Sequence, residues 1–176
     1  IITIPLSGSL RHQDNLGNRS VISQGEIQVM SAGAGVIHSE FNASSDIDVS
    51  ILQIWIFPNK KDVQPRYQQL LIDSLKTKNT FHQILSPFPD DCGVWIHQNS
   101  WFSLASLDSK KTIYYNLTHP SNGIYIFIIH GAVQIEGKDL YERDGVGFWD
   151  IEEISVSSLT NSEILLMEVP MTITKL

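Results

Sequence analysis

Short apolar runs cut off by turn residues constrain this chain more than any other feature. Val49-Ser-Ile-Leu-Gln-Ile-Trp-Ile-Phe57 is dense in β-branched and aromatic residues and stops at Pro58-Asn59. Such side chains suit the pleated surface of a strand, and proline lacks the amide that a ladder needs. Gly123 to Ile129, Ala132 to Glu136, Gly145 to Trp149, Ile154 to Leu159 and Glu163 to Val169 repeat the pattern. His130-Gly131 and Glu136-Gly137-Lys138-Asp139 suit tight hairpins. No long stretch with a 3.6-residue apolar period competes. Gln68 to Lys76 alone is open to a short helical or an extended reading. The spacing predicts an all-β sandwich or barrel. Pro58 to Pro65 is the best boundary region, so residues 1–58 read as a first domain, 59–79 as a connecting segment and 80–176 as a second.

Composition narrows the function. Hydrophobic residues make up 42% of the chain, enough to bury a core. The net charge of −7 excludes a basic nucleic-acid-binding surface. The lysines of the middle third (Lys60, Lys61, Lys76, Lys78, Lys110 and Lys111) are too dispersed to form a phosphate-binding stripe. No apolar run has the length of a membrane helix. The single cysteine, Cys92, excludes an internal disulfide and predicts a reducing, cytoplasmic setting. It has no activating base beside it, so it reads as an ordinary loop thiol.

The chemistry concentrates in Ser31-Ala-Gly-Ala-Gly-Val-Ile-His38-Ser-Glu40-Phe-Asn42. On a strand, residues i and i+2 face the same way, so His38 and Glu40 project together and Ser39 away. An imidazole and a carboxylate on one face are half of a ligand set for iron, nickel, copper or zinc. Gly33 and Gly35 read as positions of positive φ or a bulge that aims the strand. His12 reads as a solvent-facing strand residue, with a place near a barrel mouth as the functional alternative. His82 and His97 read as surface or core histidines. His119 and His130 fall in turns. No His-x-His or His-x-Glu occurs in the second half, which reads as structural. Trp55, Trp95, Trp101 and Trp149 read as core or interface aromatics. Met30 and Phe41 read as core, with a pocket wall as the alternative.

Gly8-Ser-Leu-Arg-His-Gln-Asp-Asn-Leu-Gly17-Asn, the Gly25 to Asn42 run, Leu52-Gln-Ile-Trp55-Ile and Pro65-Arg-Tyr-Gln resemble the pirin family, two-domain members of the cupin superfamily. Asp144-Gly-Val-Gly-Phe-Trp-Asp150 and Leu165-Leu-Met-Glu-Val-Pro170 are similar to its second cupin domain. The resemblance spans essentially the whole chain and implies two cupin-type β-barrels, a bicupin. It implies a metal held by three histidines and a glutamate in the first barrel. His38 and Glu40 match the last two of these ligands. The first two come from a His-x-His motif that is expected upstream of Ile1, so the first barrel is expected to be incomplete at its start. The metal is then expected to be weakly bound or absent in these 176 residues alone.

The family also implies an activity. Pirin-like proteins are described as quercetin 2,3-dioxygenases, which open a flavonol with O₂. On that reading Glu40 is both ligand and general base, and an apolar barrel interior suits the planar substrate. Two alternatives stand beside it: a metal-containing regulator that binds a partner protein, and an inactive scaffold.

Overall fold

The computed structural model describes residues 1–72 and 77–172. Among these residues every regular element is a strand. The expected strands form nearly where the patterns place them, because turn chemistry stops them there. Contacts divide the chain into two compact units. The described residues of Ile1–Ser74 and Pro87–Gln98 form the first, and those of Leu75–Ser86 and Asn99–Lys175 the second.

The first unit contains β1 (Ile2–Ser7), β2 (Ser9–Asp14), β3 (Arg19–Ser23), β4 (Glu26–Ser31), β5 (His38–Asn42), β6 (Ser50–Ile54) and β7 (Arg66–Leu71). One sheet has the order β6-β1-β4-β7 and the other β3-β2-β5. Strand β7 lies in the expected connecting segment. It pairs antiparallel with β4 from Glu26↔Leu71 to Ser31↔Arg66. The helical alternative for Gln68 to Lys76 therefore fails over its described first part. Residues 73–76 lie outside the described residues.

The turn between β2 and β3 is pinned by one side chain. Asp14 Oδ1 accepts hydrogen bonds from the Leu16 amide at 3.0 Å and the Asn18 amide at 2.9 Å. Its Oδ2 accepts from Asn18 Nδ2 at 2.7 Å and His12 Nε2 at 3.2 Å. This is an Asx-type turn, in which a short carboxylate supplies the acceptors that the bent backbone lacks.

The second unit follows with β8 (His82–Ser86), β10 (Trp101–Leu107), β11 (Thr112–Asn116), β12 (Asn122–His130), β13 (Ala132–Ile135), β14 (Lys138–Tyr141), β15 (Gly145–Phe148), β16 (Glu153–Ser158) and β17 (Ser162–Pro170); the two-residue β9 (Val94–Trp95) belongs to the first unit. Strands β15, β12, β17, β10 and β8 are neighbours in that order in one sheet, and β11-β16-β13-β14 forms the other. Ile126, Ile128, Val133, Ile135, Ile154, Val156, Ile164 and Leu166 fill the interior, each almost without exposure. Burying each such side chain contributes about 1.5–3 kcal/mol. Glu136 and Gly137 have φ of 48° and 75° and close the tight β13–β14 hairpin, as the pattern predicts. His130-Gly131 does something else. Strand β12 pairs with β15 and β17, whereas β13 pairs with β14 and β16, so this turn carries the chain from one sheet to the other. Gly131 has φ of 83°, and a Cβ there would lie 2.3 Å from the Asn161 carbonyl oxygen.

One carboxylate is buried in the second unit. Glu168 has no exposure. It accepts from Tyr115 Oη at 2.8 Å, the amides of Thr118 and His119 at 2.9 Å each, and Asn122 Nδ2 at 2.8 Å. Burial, then the Glu168 charge, push the Tyr115 hydroxyl well above the usual phenol range, so it remains a donor.

Two expectations follow. Glu168→Gln turns an acceptor into a donor facing donors, and is expected to lower stability by about 2–3 kcal/mol in urea denaturation with two-state analysis. Asp14 gives a pH signature. Burial alone would raise its pKa, but hydrogen bonds from the Asn18 and His12 side chains and from the Asn18 and Leu16 amides outweigh it and hold the carboxyl at about 2, below the usual 3.8. A carboxyl depressed on folding stabilises the native state above its unfolded pKa, and that contribution falls away as pH drops through the folded value. The wild-type urea midpoint is therefore expected to fall between about pH 4 and pH 2 more steeply than that of Asp14→Asn.

Candidate functional site

Two polar rows face one another inside the first unit. Across the four-stranded sheet, the register pairs Gln53 with Thr3, Thr3 with Gln28, and Gln28 with Gln69. Directly opposed residues share a face, so these four side chains form one row. Across the three-stranded sheet, Ser20 pairs with His12, and His12 with Glu40. The rows meet through side chains. Gln28 Nε2 donates to Glu40 Oε1 at 2.8 Å, and Gln53 Nε2 donates to Glu40 Oε2 at 2.7 Å. The Ser20 and Tyr67 hydroxyls are hydrogen-bonded to each other. Tyr67 Oη also donates to Gln69 Oε1 at 2.9 Å. Burial, reinforced by the charges of Glu26, Glu40 and Asp14, raises the Tyr67 pKa, so this hydroxyl stays protonated.

The apolar interior expected for this half is not what folds here. Around Glu40 the walls are amides, hydroxyls and imidazoles. The reason is visible in the strands. Thr3, Gln28 and His12 occupy inward positions with no exposure, while Ile2, Ile4, Ile27 and Val29 bury the opposite face.

Glu40 and His38 sit on one face of β5, with Ser39 exposed between them. The Glu40 side chain retains 10% of its exposure. Each of its oxygens accepts one amide and keeps a lone pair. Gly33 and Gly35, just before the strand, have φ of 51° and 131°. A Cβ on Gly33 would lie 2.0 Å from the Val63 carbonyl oxygen, so only glycine fits where the loop crosses Val63.

His12 corrects the expectation of a solvent-facing residue: it has no exposure at all. Its Nε2 lies 3.2 Å from Asp14 Oδ2 and its Nδ1 lies 3.5 Å from Glu40 Oε1. A carboxylate only accepts, so Nε2 carries the hydrogen facing Asp14. The ring stacks on His38 with centroids 5.9 Å apart, and tilts against Tyr67 at 4.9 Å. Along β2, Leu10, His12 and Asp14 are buried and Arg11 and Gln13 exposed.

Among the described residues no three His, Cys, Asp or Glu side chains are grouped so as to hold a metal ion. His38 and Glu40 supply two donors, and their chemistry fits two positions around a divalent first-row metal.

A cavity of about 250 Å³ lies in the same unit, lined by Ile2, Met30, Trp55, Val63, Ile96 and His97 among others. None of His12, His38 and Glu40 lines it, but one of its walls, Trp55, touches their network. Met30 shares the inward face of β4 with Gln28, and Trp55 Nε1 donates to Gln53 Oε1 at 3.3 Å. Met30 is thus both core and wall. Phe41 is neither: it is 47% exposed, beneath the Arg11 guanidinium. Trp55 and Trp149 are exposed, and Trp101 is buried. His97 is packed edge-on against Trp95, and burial, then the nearby Lys60 and Arg66 charges, lower its pKa. His82 binds the Thr77 backbone, His119 caps its own turn through Ser121, and His130 pairs with Glu142 on the surface.

Comparison with known proteins places this architecture. The Pirin family model matches residues 1–56, and the quercetinase C-terminal cupin domain matches residues 83–169. The chain is 34% identical over 171 residues to a quercetin 2,3-dioxygenase of Escherichia coli (strain K12), covering 97% of this chain and 72% of that protein. It is 32% identical over 169 residues to a pirin-like protein of Caulobacter vibrioides, covering 96% and 72%. The crystal structure of YhhW from Escherichia coli superposes with a TM-score of 0.90 at 32% identity, over 99% of this chain and 73% of that one. A nickel(II) complex of YhhW superposes with a TM-score of 0.88 over 96% and 71%. The chain belongs to the pirin family of bicupins.

Proposed function

We propose that this protein is a metal-dependent dioxygenase acting on a flavonol-type substrate with O₂, with His38 and Glu40 supplying two of the metal's ligands. The observation that carries the reading is the pairing of these two side chains on one face of β5, inside a unit whose relatives include a quercetin 2,3-dioxygenase. The nickel(II) complex of YhhW supports a divalent metal.

A bound divalent metal supplies Lewis acidity, which makes a coordinated hydroxyl easier to deprotonate. The chain's own residues do the rest. Glu40 takes the proton of the substrate hydroxyl at the lone pair its amide partners leave free. Gln28 and Gln53 hold the carboxylate still, one amide on each oxygen. His38 contributes a neutral imidazole nitrogen. Tyr67, kept protonated and donating to Gln69, is not a second base. The aromatic body of the substrate fits the apolar cavity beside Met30 and Trp55, whose walls touch the two glutamine strands.

In the full-length protein, His38→Ala is expected to abolish stoichiometric nickel or iron binding, read by elemental analysis after metal loading; unchanged metal content refutes the ligand assignment. Glu40→Gln is expected to slow quercetin consumption under O₂ by about 100-fold or more, the range of a lost general base. Absence of turnover by the wild-type protein with iron, nickel, copper and zinc in turn would refute the enzymatic reading.

A further inference from the structure

We propose that His12 is a positioning residue: held by the Asp14 turn, it fixes the placement of Glu40 and thereby the affinity and geometry of the metal site. The inference rests on the reading of Glu40 as a ligand given above.

The argument starts from cost. Burying an imidazole without full hydrogen bonding is unfavourable, and an aliphatic side chain at the same inward position would avoid that cost. His12 has no exposure, yet its Nδ1 makes no hydrogen bond. Such an atom in a folded interior calls for an explanation beyond packing. Its location supplies one. Nδ1 lies 3.5 Å from Glu40 Oε1, the oxygen that also accepts from Gln28. The ring plane lies within 20° of that of His38. His12 therefore touches both residues assigned to the metal.

The ring cannot rotate freely. Asp14 Oδ2 binds Nε2, and Asp14 is itself fixed by Leu16 and Asn18. Tyr67 packs on the ring from the four-stranded sheet. A surface turn thus sets a buried ring, and the ring packs beside a carboxylate oxygen. Outer partners of metal ligands work in this way, and their loss commonly weakens metal affinity by about 10–100-fold. The pattern His12-x-Asp14-x-x-Gly17-Asn18 is the sequence form of the device.

The test uses the full-length protein and two readouts other than turnover. Without metal, the side-chain amide resonances of Gln28 and Gln53 report where the Glu40 carboxylate sits. With metal, nickel(II) calorimetry gives affinity and stoichiometry, and cobalt(II) d–d absorption gives geometry. His12→Leu is expected to shift both amide pairs, weaken nickel binding about 10–100-fold and alter the cobalt bands while wild-type stoichiometry is retained. If His12→Leu does not fold, Asp14→Asn takes its place, with the same direction and a smaller change. A folded His12→Leu protein with unchanged amide resonances and nickel affinity would overturn the proposal. So would loss of stoichiometry, which would make His12 itself a ligand. Failure of the wild-type chain to bind nickel would remove the metal role altogether. Shifted amides in that case would still establish that His12 places Glu40, which separates the two failures.

Discussion

A carboxylate held nearly out of water is the constraint on which the first unit is organised. Removing Glu40 from solvent costs several kcal/mol unless its oxygens are satisfied. The chain answers with side chains rather than backbone, one glutamine amide from β4 and one from β6. That choice ties the two sheets together through polar contacts. It also fixes register, because a slip of one residue on β4 or β6 would swing Gln28 or Gln53 to the outer face and put an aliphatic against the charge.

Glu40 and Glu168 differ in how fully their oxygens are satisfied. Glu168 has four donors, two of them backbone amides, and is closed. Nothing further can bind it without breaking the loop that it organises. Glu40 has one amide per oxygen, an imidazole Nδ1 at 3.5 Å that makes no hydrogen bond, and residual exposure. Its coordination is unfinished. Burial alone would rank Glu168 first as a candidate site, so the count of satisfied lone pairs is the better guide.

Much of this was legible in the chain. The hairpin at Glu136-Gly137 could be read because a positive φ leaves few alternatives, whereas β6 stops at Ile54, short of the Pro58 expected to end it. The same-face pairing of His38 and Glu40 follows from strand periodicity alone. Three features were not legible, each for a physical reason. His130-Gly131 has the composition of a hairpin, but glycine specifies only the bend and not which sheet receives the next strand. Strand β7 is short and partly polar, and its identity depends on pairing with β4, a partner 35 to 45 residues away along its register. His12 was misplaced because inward residues were expected to be apolar. Where the interior is itself polar, hydropathy alternation carries no sign, and only the pairing of β2 with β5 reveals which face is inside.

The same pairing logic explains why the described residues of the second unit carry no counterpart of this polar row. A site of this type needs polar side chains at matched inward positions on at least two strands, so that each can satisfy the other. In the second unit Ile124, Ile126 and Ile128 take the inward positions of β12, and Ile164 and Leu166 those of β17. A single histidine or glutamate introduced there would be buried against aliphatics with no amide row opposite, an uncompensated charge of the kind that shifts its pKa or unfolds its host. The acquisition or loss of such a centre is therefore cooperative: the glutamine row, the imidazole and the carboxylate must change together. Conversely, within the first unit, replacing Gln28 or Gln53 by leucine is no conservative repacking, because the carboxylate opposite loses the donor that makes its burial tolerable.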